Sequence, residues 1–311
     1  MTKVIKLAVF QVILLISCTT TPTITSVERE MSHTSANNSS AGSIINAKVL
    51  GAGRPIILIH GFGGSQYTWR EVVPFLRNDH EVHLVDLMGF GDSVKSIDPD
   101  NYTFSNQVEI VLRYILENQL RDVTLIGNSY GGAVALLTAL KLEEEHPGIL
   151  SDLVLIDAAA YPQKMPWFLK VMRTPIIGPI SVAILPKKFQ VRLVMRDAFK
   201  DSTKISEDAV TRYASVLENS RGRVAAVATA RNIIPGDINK LSAEFSRLKS
   251  RCLIIWGDTD RIVPIGVGRK LNKALPRSEF NVIENCGHMP QEECPEDVAR
   301  LIYNFLNIGV R

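Results

Sequence analysis

The sequence lacks an excess of charge of either sign. Its 311 residues include 35 basic and 32 acidic side chains, which gives a formal net charge of +3. Proteins that bind nucleic acid need clustered basic residues, and no basic stripe of that kind stands out, so we expect no nucleic-acid partner. The hydrophobic fraction of 46% and the charged fraction of 22% are ordinary for a globular protein, which excludes a chain that is disordered throughout.

A long apolar run is missing at the N terminus. Residues 7–16 are mostly apolar but too few to span a bilayer as a helix, and with Lys3 and Lys6 before them they have the pattern of a signal peptide over residues 1–17. The run ends in LISC at residues 15–18, which resembles the lipobox of bacterial lipoproteins. The resemblance implies cleavage before Cys18 and lipid attachment to that residue; the alternative is an ordinary signal peptide with an incidental cysteine.

Residues 18–43 are expected to be the lipidated cysteine and a flexible tether. They are rich in Ser, Thr and Asn and have almost no large apolar side chains, so they cannot bury enough surface to offset the entropy lost on ordering. We therefore predict an exported lipoprotein anchored to a membrane through Cys18. Thr19, rather than Asp, follows the cysteine, which resembles outer-membrane sorting on the periplasmic side if the source is Gram-negative.

Only four cysteines are present. Cys18 apart, an odd number remains, so at most one intramolecular disulfide can form among them. Cys252 opens an apolar run and is expected to be a buried small hydrophobe. Cys286 and Cys294 could pair in an oxidising compartment, but the sequence does not give the distance between them. No pair has the spacing of a zinc site, and we expect no metal.

From residue 46 onward, short apolar runs alternate with helical patterns. Such alternation is typical of βαβ units, and it predicts an α/β fold with a mostly parallel sheet and helices on both faces. The predicted strands cover residues 56–60, 82–87, 123–127, 153–157, 252–257 and 280–283. Helical periodicity fits residues 69–76, 104–118, 131–144, 267–275 and 296–305.

One interval breaks the alternation. Residues 161–241 contain no convincing strand but have amphipathic pieces interrupted by prolines, which predicts a helical insertion between two strands. The expected domain organisation is a core of residues 44–160 and 242–311 with the insertion between its two parts.

The motif GNSYG at residues 127–131 is the first sign of chemistry. It follows the apolar strand VTLIG and opens an apolar helix, which is the setting of a nucleophile elbow with Ser129 as the nucleophile. The helix N terminus adds a partial positive charge. The alternative is a glycine-rich turn without a chemical role.

A serine hydroxyl is a weak nucleophile, so it needs a base that is itself oriented by an acid. His288 lies in a loop between the last predicted strand and the last predicted helix, which separates it from the other five histidines. Aspartates lie between Ser129 and His288 in the chain, so the order Ser, Asp, His is available.

Together these segments resemble the α/β-hydrolase superfamily over residues 46–305. Five ordered segments carry the resemblance: HGFGG at 60–64, DLMGFGDS at 86–93, GNSYGG at 127–132, WGDTDRIVP at 256–264 and GH at 287–288. It implies the α/β-hydrolase fold, with His288 as the general base. It also implies that the backbone N–H groups of Phe62 and Tyr130 form the oxyanion hole.

Three aspartates compete for the role of the acid. In related hydrolases the segment that matches WGDTDRIVP carries the acid at the position of Asp260, rather than at Asp258. Asp157 is a rival because it ends a strand where some members of the superfamily carry their acid. Asp86 is expected to be a structural residue of its turn.

The resemblance also implies that the insertion is a cap domain over the pocket. Its apolar side chains suit an acyl chain, or they form the core of the cap. They are Met165, Trp167, Phe168, Leu169, Val171, Met172, Ile176 and Ile177.

Ser129 at the elbow favours acyl transfer, since similar epoxide hydrolases and dehalogenases have aspartate there. The implied activity is that of a carboxylesterase or lipase acting on a small acyl ester or lipid, without a metal or organic cofactor. Carbon–carbon bond hydrolases of the meta-cleavage-product type are an alternative, although Met289 stands where they usually have Trp. A non-catalytic binding protein is a third reading.

Overall fold

The computed structural model describes residues 44–307. The predicted signal peptide, Cys18 and the tether lie outside the described residues. Within the described part, seven strands form one sheet in the order β1-β3-β2-β4-β5-β6-β7. The strands are β1 (Asn46–Leu50), β2 (Arg54–Ile59), β3 (His80–Asp86), β4 (Val123–Asn128), β5 (Leu150–Ile156), β6 (Arg251–Gly257) and β7 (Ser278–Ile283).

The α-helices of the described residues follow the strands or fill the interval between β5 and β6. They are α1 (Val73–Leu76), α2 (Phe104–Glu117), α3 (Tyr130–Glu145), α4 (Trp167–Arg173), α5 (Ile177–Ile184), α6 (Lys187–Ala198), α7 (Glu207–Ser215), α8 (Ser220–Asn232), α9 (Ile238–Ala243), α10 (Ile265–Ala274), α11 (Pro290–Glu293) and α12 (Pro295–Asn307). Short 3₁₀ turns occur at Gln66–Trp69, Pro99–Tyr102, Ser202–Lys204 and Glu244–Arg247.

The predicted α/β fold with a mostly parallel sheet is confirmed. Strands β2 to β7 pair in parallel, and all six predicted strands are present. Strand β1 pairs antiparallel with β3 at the edge of the sheet and was not predicted. Its sequence NAKVL buries only Ala47, so it lacks the continuous apolar run by which the buried parallel strands are recognised.

The hydrophobic core lies on both faces of the sheet. Leu125 of β4 packs with Val134 of α3 on one face, whereas the next strand residue, Ile126, packs with Val298 and Ile302 of α12 on the other. All five side chains are fully buried. Burial of each such side chain contributes roughly 1.5–3 kcal/mol, so the two faces together hold the sheet rigid beneath the loops at its carboxyl edge.

The helix predicted for residues 69–76 is wrong in one respect. The structure has a 3₁₀ turn that ends at Trp69 and a separate short helix, α1, with Pro74 in its first turn. A proline further inside a helix lacks the N–H of the ladder, and its ring would collide with the carbonyl of Arg70 four residues earlier. A continuous helix through Pro74 is therefore excluded.

The insertion is helical, as predicted. Helices α4 to α9 lie between β5 and β6, and the described residues of this interval contain no strand. The expected boundary after residue 241 falls inside α9, and a 3₁₀ turn follows that helix. No single helix in residues 44–307 is long and apolar enough to cross a membrane. Helices α4 and α5 would be so only as a pair, by length and composition, and they meet at a bend of 111°.

Candidate active site

Ser129 lies in the tight turn between β4 and α3. Its φ of 56° falls in the left-handed region, which L-residues rarely adopt. The turn is possible because glycines at positions 127 and 131 let the backbone segments approach closely. A Cβ atom at Gly131 would lie 2.2 Å from the carbonyl oxygen of His60, and one at Gly127 would lie 2.3 Å from the carbonyl oxygen of Gly131. The strained turn holds the Ser129 hydroxyl at the carboxyl edge of the sheet.

His288 lies in the loop after β7 and contacts Ser129 directly. The distance from His288 Nε2 to Ser129 Oγ is 2.8 Å, and that from His288 Nδ1 to Asp260 Oδ2 is 2.7 Å. The other oxygen of Asp260 accepts hydrogen bonds from the N–H groups of Ile262 and Val263. These bonds fix the orientation of the carboxylate, so Asp260 can hold the imidazole and stabilise it when it is protonated.

The two rival aspartates do not occupy that position. Asp258 is exposed, and its carboxylate accepts a hydrogen bond from the Cys286 N–H instead. Asp157 is fully buried at the end of β5, where its Oδ1 accepts a hydrogen bond from the Gly257 N–H. Burial, reinforced by the charge of Asp260, raises the pKa of Asp157 well above its usual value. A raised pKa disfavours the charged form, so Asp157 is poorly suited to supply the negative charge that the imidazole needs.

Asp86 has the structural role that was expected. Its carboxylate accepts hydrogen bonds from the N–H groups of Gln66 and Asp92 and from the side-chain amide of Asn46. It therefore ties β1 and two turns to the end of β3, away from the imidazole of His288.

The loop that carries His288 is held from three sides. A disulfide joins Cys286 and Cys294, a pairing that the sequence allowed but did not decide. The side-chain amide of Asn128 donates to the carbonyl of His288, and the His288 N–H donates to the carbonyl of Ala198 in the insertion. Sequence reasoning gave Asn128 no role, although its place directly before Ser129 puts it within reach of both loops.

Glu293 joins the same loop to the insertion. Its carboxylate is almost fully buried and accepts hydrogen bonds from the N–H groups of Gly287, Lys200 and Asp201. A buried carboxylate needs such donors to replace water. The imidazole and the insertion therefore share one set of hydrogen bonds.

Glu292 forms a second buried link. It pairs with Arg70 at 2.7 Å and accepts hydrogen bonds from the hydroxyls of Thr68 and Tyr213, the latter on helix α7 of the insertion. Burial raises the pKa of Glu292, with Arg70 opposing the shift. Neither glutamate was predicted, because a pair of acidic residues in a helical pattern normally indicates a solvated face.

The predicted oxyanion donors lie on either side of Ser129. Tyr130 is the first residue of α3, so its N–H has no intrahelical partner. Phe62 follows Gly61, where an added Cβ would lie 3.2 Å from the Cβ of Ser129. Within residues 44–307 neither N–H donates a hydrogen bond. Both are free to bind an oxygen atom next to the hydroxyl.

A cavity of about 170 Å³ opens at Ser129 and His288. Helices α4 and α6 supply much of its wall, including Phe168, Leu169 and Val194. None of the described residues that line it is Lys, Arg, Asp or Glu. Trp167, Ile176 and Ile177, which were considered for acyl contact, point to solvent instead and do not line it.

One cluster among the described residues has the composition of a metal site. Ligand atoms of Asp157, Asp260 and His288 all lie within 4.8 Å of one another. Within this cluster His288 Nδ1 and Asp260 Oδ2 are hydrogen bonded to each other, which is the arrangement that orients an imidazole toward Ser129.

Comparisons with known proteins agree with the fold. The model of the alpha/beta hydrolase fold family matches residues 54–295. The chain is 30% identical to 2-hydroxy-6-oxo-6-(2'-aminophenyl)hexa-2,4-dienoic acid hydrolase of Metapseudomonas resinovorans, over 83% of this chain and 85% of the relative. It is 22% identical to Lipase 1 of Psychrobacter immobilis, over 80% of this chain and 75% of the relative. The solved structure of a membrane phospholipase A superposes with a TM-score of 0.68 at 26% identity, over 85% of this chain and 82% of that chain. The chain belongs to the alpha/beta hydrolase fold family.

Proposed function

We propose that this hydrolase cleaves carboxylic esters through an acyl-enzyme on Ser129. The observation that carries the proposal is the continuous contact from Asp260 through His288 to the Ser129 hydroxyl, at the mouth of an apolar cavity. In such an arrangement the imidazole accepts the serine proton while the hydroxyl oxygen attacks a carbonyl.

The reaction would proceed in two halves. Ser129 Oγ attacks the ester carbonyl, His288 Nε2 takes its proton, and the N–H groups of Phe62 and Tyr130 bind the negative oxygen. The tetrahedral intermediate collapses, and His288 returns the proton to the leaving alcohol. Water, activated by His288, then hydrolyses the acyl-enzyme and frees the acid.

The wall of the cavity favours an uncharged, apolar acyl group. An acyl chain buries its surface against side chains such as Leu169 and Met172. A carboxylate placed in the same cavity would lose its water without gaining a cationic partner, because no Lys or Arg is among the described lining residues.

Carbon–carbon bond hydrolysis is the second candidate. It is favoured by the similarity to the dienoic acid hydrolase, which is the most identical of the relatives reported above. Substrates of that kind carry a carboxylate, and the uncharged wall weighs against them. Assay of purified enzyme with vinylogous diketone acids and with neutral esters separates the two candidates.

The test uses p-nitrophenyl esters of graded acyl length. We expect release of p-nitrophenol by the wild type and its loss in Ser129→Ala. Hydrolysis of the diketone acid but of no ester would support the second candidate. No turnover of either substrate, together with failure to react with a fluorophosphonate, would indicate a non-catalytic binding protein on this fold.

We further propose that the insertion of residues 161–241 acts as a cap that selects the acyl group. Its helices provide Phe168, Met172, Val191 and Val194 to the cavity wall, which supports this role. Replacement of residues 161–241 by a short Gly/Ser linker should change the preference for acyl length. An unchanged profile in a soluble truncated enzyme would contradict the proposal.

We also propose that the enzyme is exported and held to a membrane by lipid on Cys18. The proposal rests on the LISC sequence and the charged start of the chain. Several acyl chains at one site give lasting attachment, since each buried CH₂ adds roughly 0.8 kcal/mol. Wild type should incorporate labelled palmitate and fractionate with membranes, and Cys18→Ala should do neither. Soluble, unlabelled wild type would contradict it.

A further inference from the structure

The insertion carries a group of large apolar side chains on its outer surface. We call this group the cap face. Each of its side chains is at least 46% exposed. They are Trp167 of α4, Ile176, Ile177, Ile180 and Ile184 at α5, and Phe189 of α6. Isolated exposed apolar residues are normal on a soluble protein, but a contiguous group indicates an interaction surface.

Helix α5 explains why these side chains face outward together. Its sequence IGPISVAI has no charged residue, and it buries only Gly178 and Val182. Ile176, Ile180 and Ile184 are spaced four residues apart, so they form one stripe on the opposite side of the helix. Gly178 lets α5 approach α4 closely, because a Cβ there would lie 2.0 Å from the carbonyl oxygen of Met172.

Ile176 adopts an unfavourable backbone conformation at the turn into α5. Its φ is +66°, a value that a β-branched residue rarely takes, and its side chain is 75% exposed. Neither the backbone strain nor the exposure of the isoleucine is offset by packing within the described residues. A conformation of this cost is expected where the turn contributes to function.

The stretch of sequence that carries the cap face has an excess of basic residues, although acidic residues follow it at Asp201, Glu207 and Asp208 and Glu207 pairs with Arg192. Residues 161–200 contain eight basic residues and a single acidic one, whereas the rest of the chain carries 27 of the 35 basic and 31 of the 32 acidic residues. The single acidic residue, Asp197, accepts a hydrogen bond from the ring N–H of Trp167. Five of the basic residues are exposed and have no ion pair with any described residue. They are Lys164, Lys170, Lys188, Arg196 and Lys200.

We propose that the cap face docks the folded domain onto an anionic lipid bilayer. Exposed Ile and Trp side chains on the same stretch of chain as exposed lysine and arginine match the two layers of such a surface, acyl chains beneath negative headgroups. The match in charge is what favours a bilayer over an uncharged protein partner. Docking is separate from the proposed lipid on Cys18 and does not require that the enzyme cleave esters.

The cap face is continuous with the wall of the cavity. Helix α4 presents Trp167 to solvent and the next residue, Phe168, to the cavity, and the two rings pack edge to face at 6.0 Å. Helix α6 likewise presents Phe189 outward and Val191 and Val194 inward. A bilayer at the cap face would therefore lie on the opposite side of helices α4 and α6 from the cavity.

The fluorescence of Trp167 reports docking directly. The other two tryptophans of the chain, Trp69 and Trp256, are fully buried, so only Trp167 can enter lipid from the folded protein. The experiment uses the full chain as Ser129→Ala, which prevents hydrolysis of the vesicles. Vesicles contain phosphatidylcholine with or without phosphatidylglycerol, and the acyl chains are brominated. Attachment through the N terminus alone would hold the protein on vesicles without quenching Trp167.

We expect brominated anionic vesicles to quench the fluorescence and shift it to the blue, and neutral vesicles to do so much less. Trp167→Phe should abolish the signal. Ile184→Glu should weaken docking on the order of tenfold because it places a charge in the acyl region. Its matched control is Ile97→Glu, which changes a residue of equal exposure, 73%, outside the insertion. Lys170→Glu with Lys188→Glu should remove the preference for anionic lipid, and Lys273→Glu should not.

Three results would overturn the proposal. The first is the absence of quenching on anionic vesicles, and the second is equal weakening by Ile97→Glu and Ile184→Glu. The third is self-association in solution, measured by sedimentation, that Ile184→Glu abolishes, which would assign the cap face to a second copy of this chain. In the active enzyme, which retains Ser129, Ile184→Glu should leave the turnover of a soluble short-chain ester unchanged. Failure of docking and failure of ester hydrolysis can therefore be distinguished.

Discussion

Asp157 and Asp260 end neighbouring strands of the sheet and lie together beside His288, but only Asp260 contacts the imidazole. Burial and the neighbouring negative charge of Asp260 raise the pKa of Asp157. The raised pKa disfavours a second negative charge beside Asp260. Two carboxylates this close cannot both ionise without a large cost.

The acid assignment predicts opposite behaviour for two matched substitutions. Asp260→Asn should lower kcat/KM by about 10³ to 10⁴, because the amide cannot stabilise the protonated imidazole. Asp157→Asn changes a group that does not contact the imidazole, so it should retain most of the activity. Ester kinetics on the two folded variants checks this, and loss of activity in Asp157→Asn with retention in Asp260→Asn would reverse the assignment.

The cavity wall predicts a change in acyl preference. Leu169→Trp fills space beside Ser129, so hydrolysis of long-chain esters should fall by about tenfold relative to short-chain esters. The control is Lys170→Trp, which adds the same ring at an exposed position outside the cavity wall. Equal acyl profiles for the two variants would show that the acyl chain lies elsewhere.

The disulfide predicts a link between the redox state and the position of His288. Cys286→Ser with Cys294→Ser opens the loop that carries the base, and the free energy of unfolding should fall by about 2 kcal/mol. Turnover should fall as well, because His288 loses part of its support. Thermal unfolding and ester kinetics of the variant and of reduced wild type check this; an unchanged Tm in both would rule out a supporting role.

Two buried histidines predict loss of stability in mild acid. Burial lowers the pKa of His60 and His83 below the usual 6.5, so below that pH the unfolded chain binds more protons than the folded one. Unfolding free energy should then fall as the pH drops below 6.5, by about 1.4 kcal/mol per pH unit for each histidine, until the folded-state pKa is reached. Denaturant titrations between pH 8 and 5 measure the slope, and His83→Gln should reduce it.

The parallel strands and the site residues were predictable because each has a local signature. An apolar run followed by a glycine-rich turn identifies β4 and Ser129, and similar runs precede Asp260 and His288. Asp260 was favoured over Asp157 only through the resemblance of the WGDTDRIVP segment to related hydrolases, and the residues by themselves do not make that choice. It depends on which carboxylate reaches the imidazole, and only the packing of three loops determines that distance.

Edge strand β1, Glu292 and Glu293 escaped prediction for a related reason. Their roles arise from partners far away in the chain, such as Asp86 for β1 and Tyr213 for Glu292. The local basic charge of residues 161–200 was hidden in the same way, because the rest of the chain nearly cancels it in the total of +3.

The central claim is that Ser129 is a nucleophile activated by His288. The most direct measurement is the reaction of the folded protein with a fluorophosphonate, followed by mass spectrometry of the labelled peptide. The account predicts a single adduct on Ser129, complete loss of ester hydrolysis on labelling, no adduct in Ser129→Ala, and labelling slowed by orders of magnitude in His288→Ala. A folded protein that hydrolyses esters but carries its adduct on another residue, or takes none, would contradict it.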